Sequence, residues 1–78
     1  MEEKVLDVIL EACDDKIVIK RKDINLFETG LLDSMGFIEL LVVLEEEFDI
    51  DITPEEIKKE QMCTPNQLID FVRSKVNG

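Results

Sequence analysis

The sequence predicts an all-α fold: a small four-helix bundle of three longer helices and one short one, with a long loop between helices one and two. Two observations carry this. Apolar residues recur at three- and four-residue spacing in three separate segments, the period of a helix with one buried face. Thr-Pro also occurs twice, each time with Glu or Gln at the third helical position, which combines a capping box with proline at its favoured site. A chain of 78 residues without repeats or linkers is expected to form a single domain over residues 1–78.

The first helix is expected from about Glu2 to Cys13, with Val5, Val8, Ile9 and Ala12 inward and Glu3, Asp7 and Glu11 between them. Asp14-Asp15 breaks that period. Lys16 to Lys20 alternates loosely like a strand, but no second strand-like segment exists to complete its ladder. Residues 14–33 are therefore read as a loop, with Gly30 at a turn and Ile24, Leu26, Phe27, Leu31 and Leu32 pinned to the core. The second helix runs from Asp33 to Phe48, and its core arc holds Phe37, Ile38, Leu40, Leu41, Leu44 and Phe48. Thr53-Pro54-Glu55-Glu56 opens a short third helix to about Glu60. Thr64-Pro65-Asn66-Gln67 opens the last, whose stripe is Leu68, Ile69, Val72 and Val76 and whose end falls near Asn77-Gly78.

Composition excludes several function classes. Nine Lys and Arg against nineteen Asp and Glu give a net charge of −10, which repels phosphate backbones and anionic lipids, so no nucleic-acid partner is expected. Basic partners suit it better, with association that salt weakens. Apolar residues make up 45% of the chain, enough to form a core despite the charge. No apolar run is long enough for a signal peptide or membrane span, and the expectation is a cytoplasmic monomer that is not membrane-embedded. Cys13 and Cys63 have no histidine to share a metal site with, so no metal site is expected. Cys13 is expected as a buried small hydrophobe and Cys63 as a partly exposed thiol. Without histidine, neither Ser34 nor Ser74 has the usual general base, so no catalytic residue is assigned and the protein is read as a non-enzyme.

The second helix carries the functional signal. Asp33 is a good N-cap, which puts Ser34 at the first helical position. An anionic group on that hydroxyl would lie beside the positive helix end; from position alone, a serine that merely assists the cap is the simpler reading. Opposite the core arc lie Met35, Glu39, Val42, Val43, Glu46 and Glu47, a mixed aliphatic and acidic strip suited to basic partners with apolar pockets. Met35, Glu39, Val42, Glu46 and Glu47 are the candidate docking residues. A solvated acidic face would show the same pattern.

Gly30-Leu31-Leu32-Asp33-Ser34-Met35-Gly36, with Glu39-Leu40-Leu41 and Glu45-Glu46-Glu47-Phe48-Asp49-Ile50, resembles the attachment-site region of acyl and peptidyl carrier proteins. The likeness covers nearly the whole chain. It implies an acyl-carrier-like fold and a 4′-phosphopantetheine cofactor on Ser34, whose terminal thiol bears an acyl or aminoacyl thioester. It also implies that Asp33 assists a magnesium-dependent phosphopantetheinyl transferase using coenzyme A, and that an adenylating ligase and a downstream acyltransferase are partners. Within the family, GLLDSMG, IELLVVLEEEFDI and CTPNQL are most similar to the D-alanyl carriers of teichoic acid D-alanylation, implying a D-alanine-activating ligase and a D-alanyl transferase. Two departures are visible: Met35-Gly36 stands where fatty-acid carriers usually have Leu and an acid, and Met62-Cys63 precedes Thr64 without the tryptophan expected there.

Other readings remain open on the residues. Carriers of fatty-acid, polyketide or nonribosomal peptide synthesis share the motif, and an unmodified acidic helical adaptor would differ only at Ser34. Asp49, Asp51, Thr53 and Glu60 have the spacing of an EF-hand calcium loop, but Pro54 occupies the position where that loop needs a glycine turn.

Overall fold

The computed structural model describes residues 1–77. Helix α1, Glu2–Cys13, buries Val5, Leu6, Val8 and Ile9, and all the other α-helices pack against it. It ends on Asp14, whose backbone is left-handed at φ 53° and whose N–H donates to the Leu10 carbonyl at 2.7 Å. Aspartate tolerates that conformation better than most residues. A single turn, α2 (Ile17–Lys20), follows. The third helix, α3, is Ser34–Phe48 and the last, α4, is Pro65–Asn77. Between them lie two separate 3₁₀ turns, Pro54–Glu56 and Lys59–Gln61.

The all-α class and its four α-helices stand as the sequence indicates, with no strand among the described residues. The short helix lies elsewhere. Within the expected loop, Asp15 Oδ1 accepts from the Ile17 N–H at 3.0 Å and starts α2, which buries Val18 completely. One helical turn is too short to display a period, so its apolar residues pass for an alternating strand. The helix expected from Thr53 to Glu60 is replaced by the two 3₁₀ turns, with extended backbone at Ile57 and Lys58 between them. Met62 is buried and Ile57 packs against the core. A continuous helix would set these two roughly 140° apart, too far for both to turn inward. The Thr53 cap is partly made, its N–H donating to Glu56 Oε2 at 3.4 Å.

The long connection is tied down by backbone hydrogen bonds. Leu26 donates to the Cys63 carbonyl at 2.7 Å, Leu32 to Leu26 at 2.9 Å, and Asn66 at the start of α4 to Lys22 at 2.9 Å. Leu26 and Leu32 are buried as expected, while Ile24, Phe27 and Leu31 pack on the core from its edge. No polar or charged residue among those described is buried. Three apolar assignments need correction: Ala12, Ile38 and Val76 are exposed. Each sits at the rim of its stripe, on a side that no packed element covers. Cys13 is half-buried, and burial first, then the charge of Asp15, pushes its thiol up to about 11. The terminus expected at Gly78 lies outside the described residues.

The two sides of α3 should respond differently to truncation. Leu41 is 3% exposed and Ile38 is 49% exposed. Leu41→Ala should cost about 2–5 kcal/mol in urea unfolding, and Ile38→Ala less than about 1 kcal/mol. Equal losses would mean that α3 is rotated from the orientation described.

Candidate functional site

The site begins where the long loop becomes α3. Gly30, with φ 77°, turns the chain, its N–H donating to the Phe27 carbonyl at 3.1 Å. Leu32 is buried and fixes the approach. Asp33 is extended, and its Oδ1 accepts from the Gly36 N–H at 2.7 Å. The carboxylate thus satisfies one of the orphan donors of the first turn, and helical backbone starts at Ser34, whose side chain faces solvent. A Cβ on Gly36 would stand 3.1 Å from that same Asp33 oxygen and 3.4 Å from Leu32 Cδ2.

A residue that sequence reasoning missed completes the site. Lys59, from the second 3₁₀ turn, donates from Nζ to Ser34 Oγ at 2.8 Å. Its ammonium lies 5.5 Å from the centre of the Phe27 ring, within cation–π range. Phe27 meets Phe37 of α3 edge-on, with centroids 5.1 Å apart and planes at 69°. Asn25 holds Phe27 in place, its Oδ1 accepting from the N–H groups of Phe27 at 3.0 Å and Glu28 at 2.9 Å. Lys59 is twenty-five positions from Ser34, and no local pattern links the two. An open groove of about 300 Å³ runs beside them, bounded by Asn25, Phe27, Lys59 and Cys63.

Along α3 the expected strip is on the surface. Met35 is 74% exposed; Val42, Val43, Glu39, Glu46 and Glu47 are exposed as well, and Ile38 joins them. Beside this strip, Glu11 and Ala12 of α1 face Gly36, Glu39 and Val43 across a shallow groove of about 210 Å³. Further along, Asp49 closes α3 in left-handed conformation and Glu45 Oε2 accepts from the Ile52 N–H at 2.9 Å. Among the described residues no three carboxylates or thiols converge on a metal-sized site. Glu56 pairs instead with Lys75 at 2.8 Å, and that hydrogen bond holds its carboxyl below the usual range.

Residues 3–72 match the family described as a phosphopantetheine attachment site. The chain belongs to that family. Among its relatives, the D-alanyl carrier protein of Abiotrophia defectiva is 43% identical over 76 residues, covering 97% of this chain and 96% of that one. The D-alanyl carrier protein of Bacillus subtilis (strain 168) is 44% identical over 69 residues, 88% of each chain. That of Bacillus cereus (strain B4264) is 38% identical over 68 residues, 87% of this chain and 86% of the other. The protein is thus a carrier whose 4′-phosphopantetheine is attached covalently to a serine.

The carrier has two serines, Ser34 and Ser74, and the matched interval includes only Ser34. The surroundings of Ser34 fit the group: an open hydroxyl for attachment, a cation within hydrogen-bond distance for the phosphate, and a capped helix start beneath both. No helix among the described residues is long and apolar enough to cross a membrane.

The cap is open to a direct test. Asp33→Ala should lower stability by about 0.5–2 kcal/mol in urea or thermal unfolding, whereas Asp33→Asn, which keeps an acceptor oxygen, should restore most of it. No loss in the alanine variant would remove Asp33 as the residue that sets the helix start.

Proposed function

We propose that Ser34 carries the phosphopantetheine arm and that the arm's cargo is D-alanine, held for delivery in teichoic acid D-alanylation. The observation that carries the first half is that Ser34 is the one serine inside the family match, exposed at the head of a capped helix. In the modifying step Ser34 Oγ bonds to the pantetheine-side phosphorus of coenzyme A, the bond to the leaving 3′,5′-ADP breaks, and the hydroxyl proton passes to a base of the phosphopantetheinyl transferase. The arm then supplies a thiol that holds the cargo as a thioester. The carrier's own contribution is presentation: Asp33 fixes the turn, and Met35, Glu39, Val42, Glu46 and Glu47 offer the exposed strip to the partners. Those partners are the transferase, an adenylating ligase that activates D-alanine, and a D-alanyl transferase downstream. The domain acts over residues 1–78 as a cytoplasmic monomer with no catalytic residue of its own.

Two observations and one physical argument support the D-alanyl cargo. The relatives at 38–44% identity are D-alanyl carriers. Gly36 leaves no acid two residues after the serine for a partner that expects one. D-alanine is also small and charged, so it can stay in solvent at the end of the arm, whereas a long acyl chain needs an apolar cavity.

With coenzyme A, magnesium and a phosphopantetheinyl transferase, intact mass should show one added arm on the wild type and on the Ser74→Ala variant, and none on Ser34→Ala. Addition to Ser34→Ala, or none to wild type, would sink the attachment reading in favour of the unmodified adaptor.

Loading separates the cargoes. Holo protein offered both a D-alanine ligase and a long-chain acyl ligase should accumulate the D-alanyl thioester by mass. Glu39→Lys or Glu46→Lys should slow that loading roughly tenfold at low salt and flatten its salt dependence, with helical circular dichroism unchanged. Preferential fatty acylation would overturn the D-alanine assignment alone.

A further inference from the structure

We propose that Lys59 holds the phosphodiester that the arm forms on Ser34, fixing the point at which the arm leaves the protein. The inference rests on Ser34 as the attachment residue and adds a role for a residue from a distant part of the chain. Lys59 Nζ is 2.8 Å from Ser34 Oγ, so a phosphorus bonded to that oxygen places its two free oxygens within reach of the same ammonium. The pairing is charge-assisted, the stronger kind of hydrogen bond.

The ammonium has two partners, the Ser34 hydroxyl and the Phe27 ring, and the backbone that carries it is fixed. Its backbone belongs to a 3₁₀ turn that is closed by the Met62 N–H donating to the Lys59 carbonyl at 3.1 Å and anchored by the buried Met62 side chain. Its charge lies over Phe27, which the Asn25 turn and the edge of Phe37 fix in turn. Lys4, Lys22, Arg73 and Lys75 are paired with carboxylates; Lys59, like the four remaining cations, is not, but it alone of these donates to the Ser34 hydroxyl. In a chain with nineteen acids, this lysine faces a neutral hydroxyl instead. Modification converts that hydroxyl into an anion and completes the pair. Lys59 is thus a positioning residue for the arm, and its effect is carried by charge.

Phosphorus NMR of the isolated holo protein tests this. The ³¹P resonance of folded holo wild type should be displaced from its position in the urea-unfolded holo chain, and added salt should reduce the displacement. Lys59→Ala and Lys59→Gln should lose most of it, the latter keeping an uncharged stem over Phe27, and Lys59→Arg should keep it. Because Lys59 is exposed, all three should retain helical circular dichroism. A displacement unchanged in Lys59→Ala and Lys59→Gln would overturn the pairing and leave Ser34 as the attachment site. Absence of any protein-bound phosphorus in wild type would overturn the attachment reading itself, and the pairing with it.

Discussion

One hydrogen bond, from the Gly36 N–H to the Asp33 carboxylate at 2.7 Å, sets the geometry on which the site depends. It ends the extended backbone and starts α3, so the next residue, Ser34, is neither buried in the helix nor loose in the loop. From that start the 3.6-residue period is fixed: Phe37, Leu40, Leu41 and Leu44 turn to the core, and Met35, Val42 and Glu46 turn to solvent. A cap one residue later would move every side chain of α3 about 100° round the helix axis. A Cβ at position 36 would stand 3.1 Å from the accepting oxygen, which would have to shift slightly to admit it. Motif and fold are thus tied by packing at a single turn.

Beneath this turn, α1 is the common platform. Its Val5, Leu6, Val8 and Ile9 are buried, and α2, α3 and α4 each meet α1. This part is legible in the sequence because long amphipathic helices repeat their pattern several times: α1 spans Glu2–Cys13, and α3 starts on the Asp33 cap and ends at Phe48, as the pattern predicts. Thr64 was also recognised as a cap, and its Oγ1 accepts from the Gln67 N–H at 3.1 Å. Gln67 differs in detail. Its Oε1 accepts from the Cys63 N–H at 3.0 Å, one residue ahead of the cap, which helps hold the segment that bonds to Leu26.

What the sequence did not disclose has a common physical cause. Val18, Met62 and Lys59 are each placed by tertiary contact within segments of three or four residues, too short for any period to be read. Val18 anchors a one-turn helix, Met62 anchors a 3₁₀ turn, and Lys59 reaches Ser34 only because Met62 and the Leu26 to Cys63 hydrogen bond bring the two loops together. Ile38 was misplaced for a related reason. It stands about 100° from Phe37 on the helix, at an edge where burial depends on whether a neighbouring element is present, and none covers it.

The charge distribution gives the exposed face its direction. Surface ion pairs of the kind formed by Lys4 with Glu47, or Lys22 and Arg73 with Glu2, contribute only about 0–1 kcal/mol each. Their greater consequence is which acids they leave unpaired. Helix α3 contains four glutamates and no lysine or arginine. Glu45 is occupied by the Ile52 N–H and Glu47 by Lys4, which leaves Glu39 and Glu46 facing solvent among Met35, Ile38, Val42 and Val43. The two unengaged carboxylates thus share a face with the apolar side chains, the arrangement that would suit a basic partner steered by the field of the whole protein. Ser34 heads that helix with Lys59 beside it. On the proposed reading, the strip attracts the partner's cations, and the ammonium beside Ser34 marks the end of the face where the arm's anion would sit.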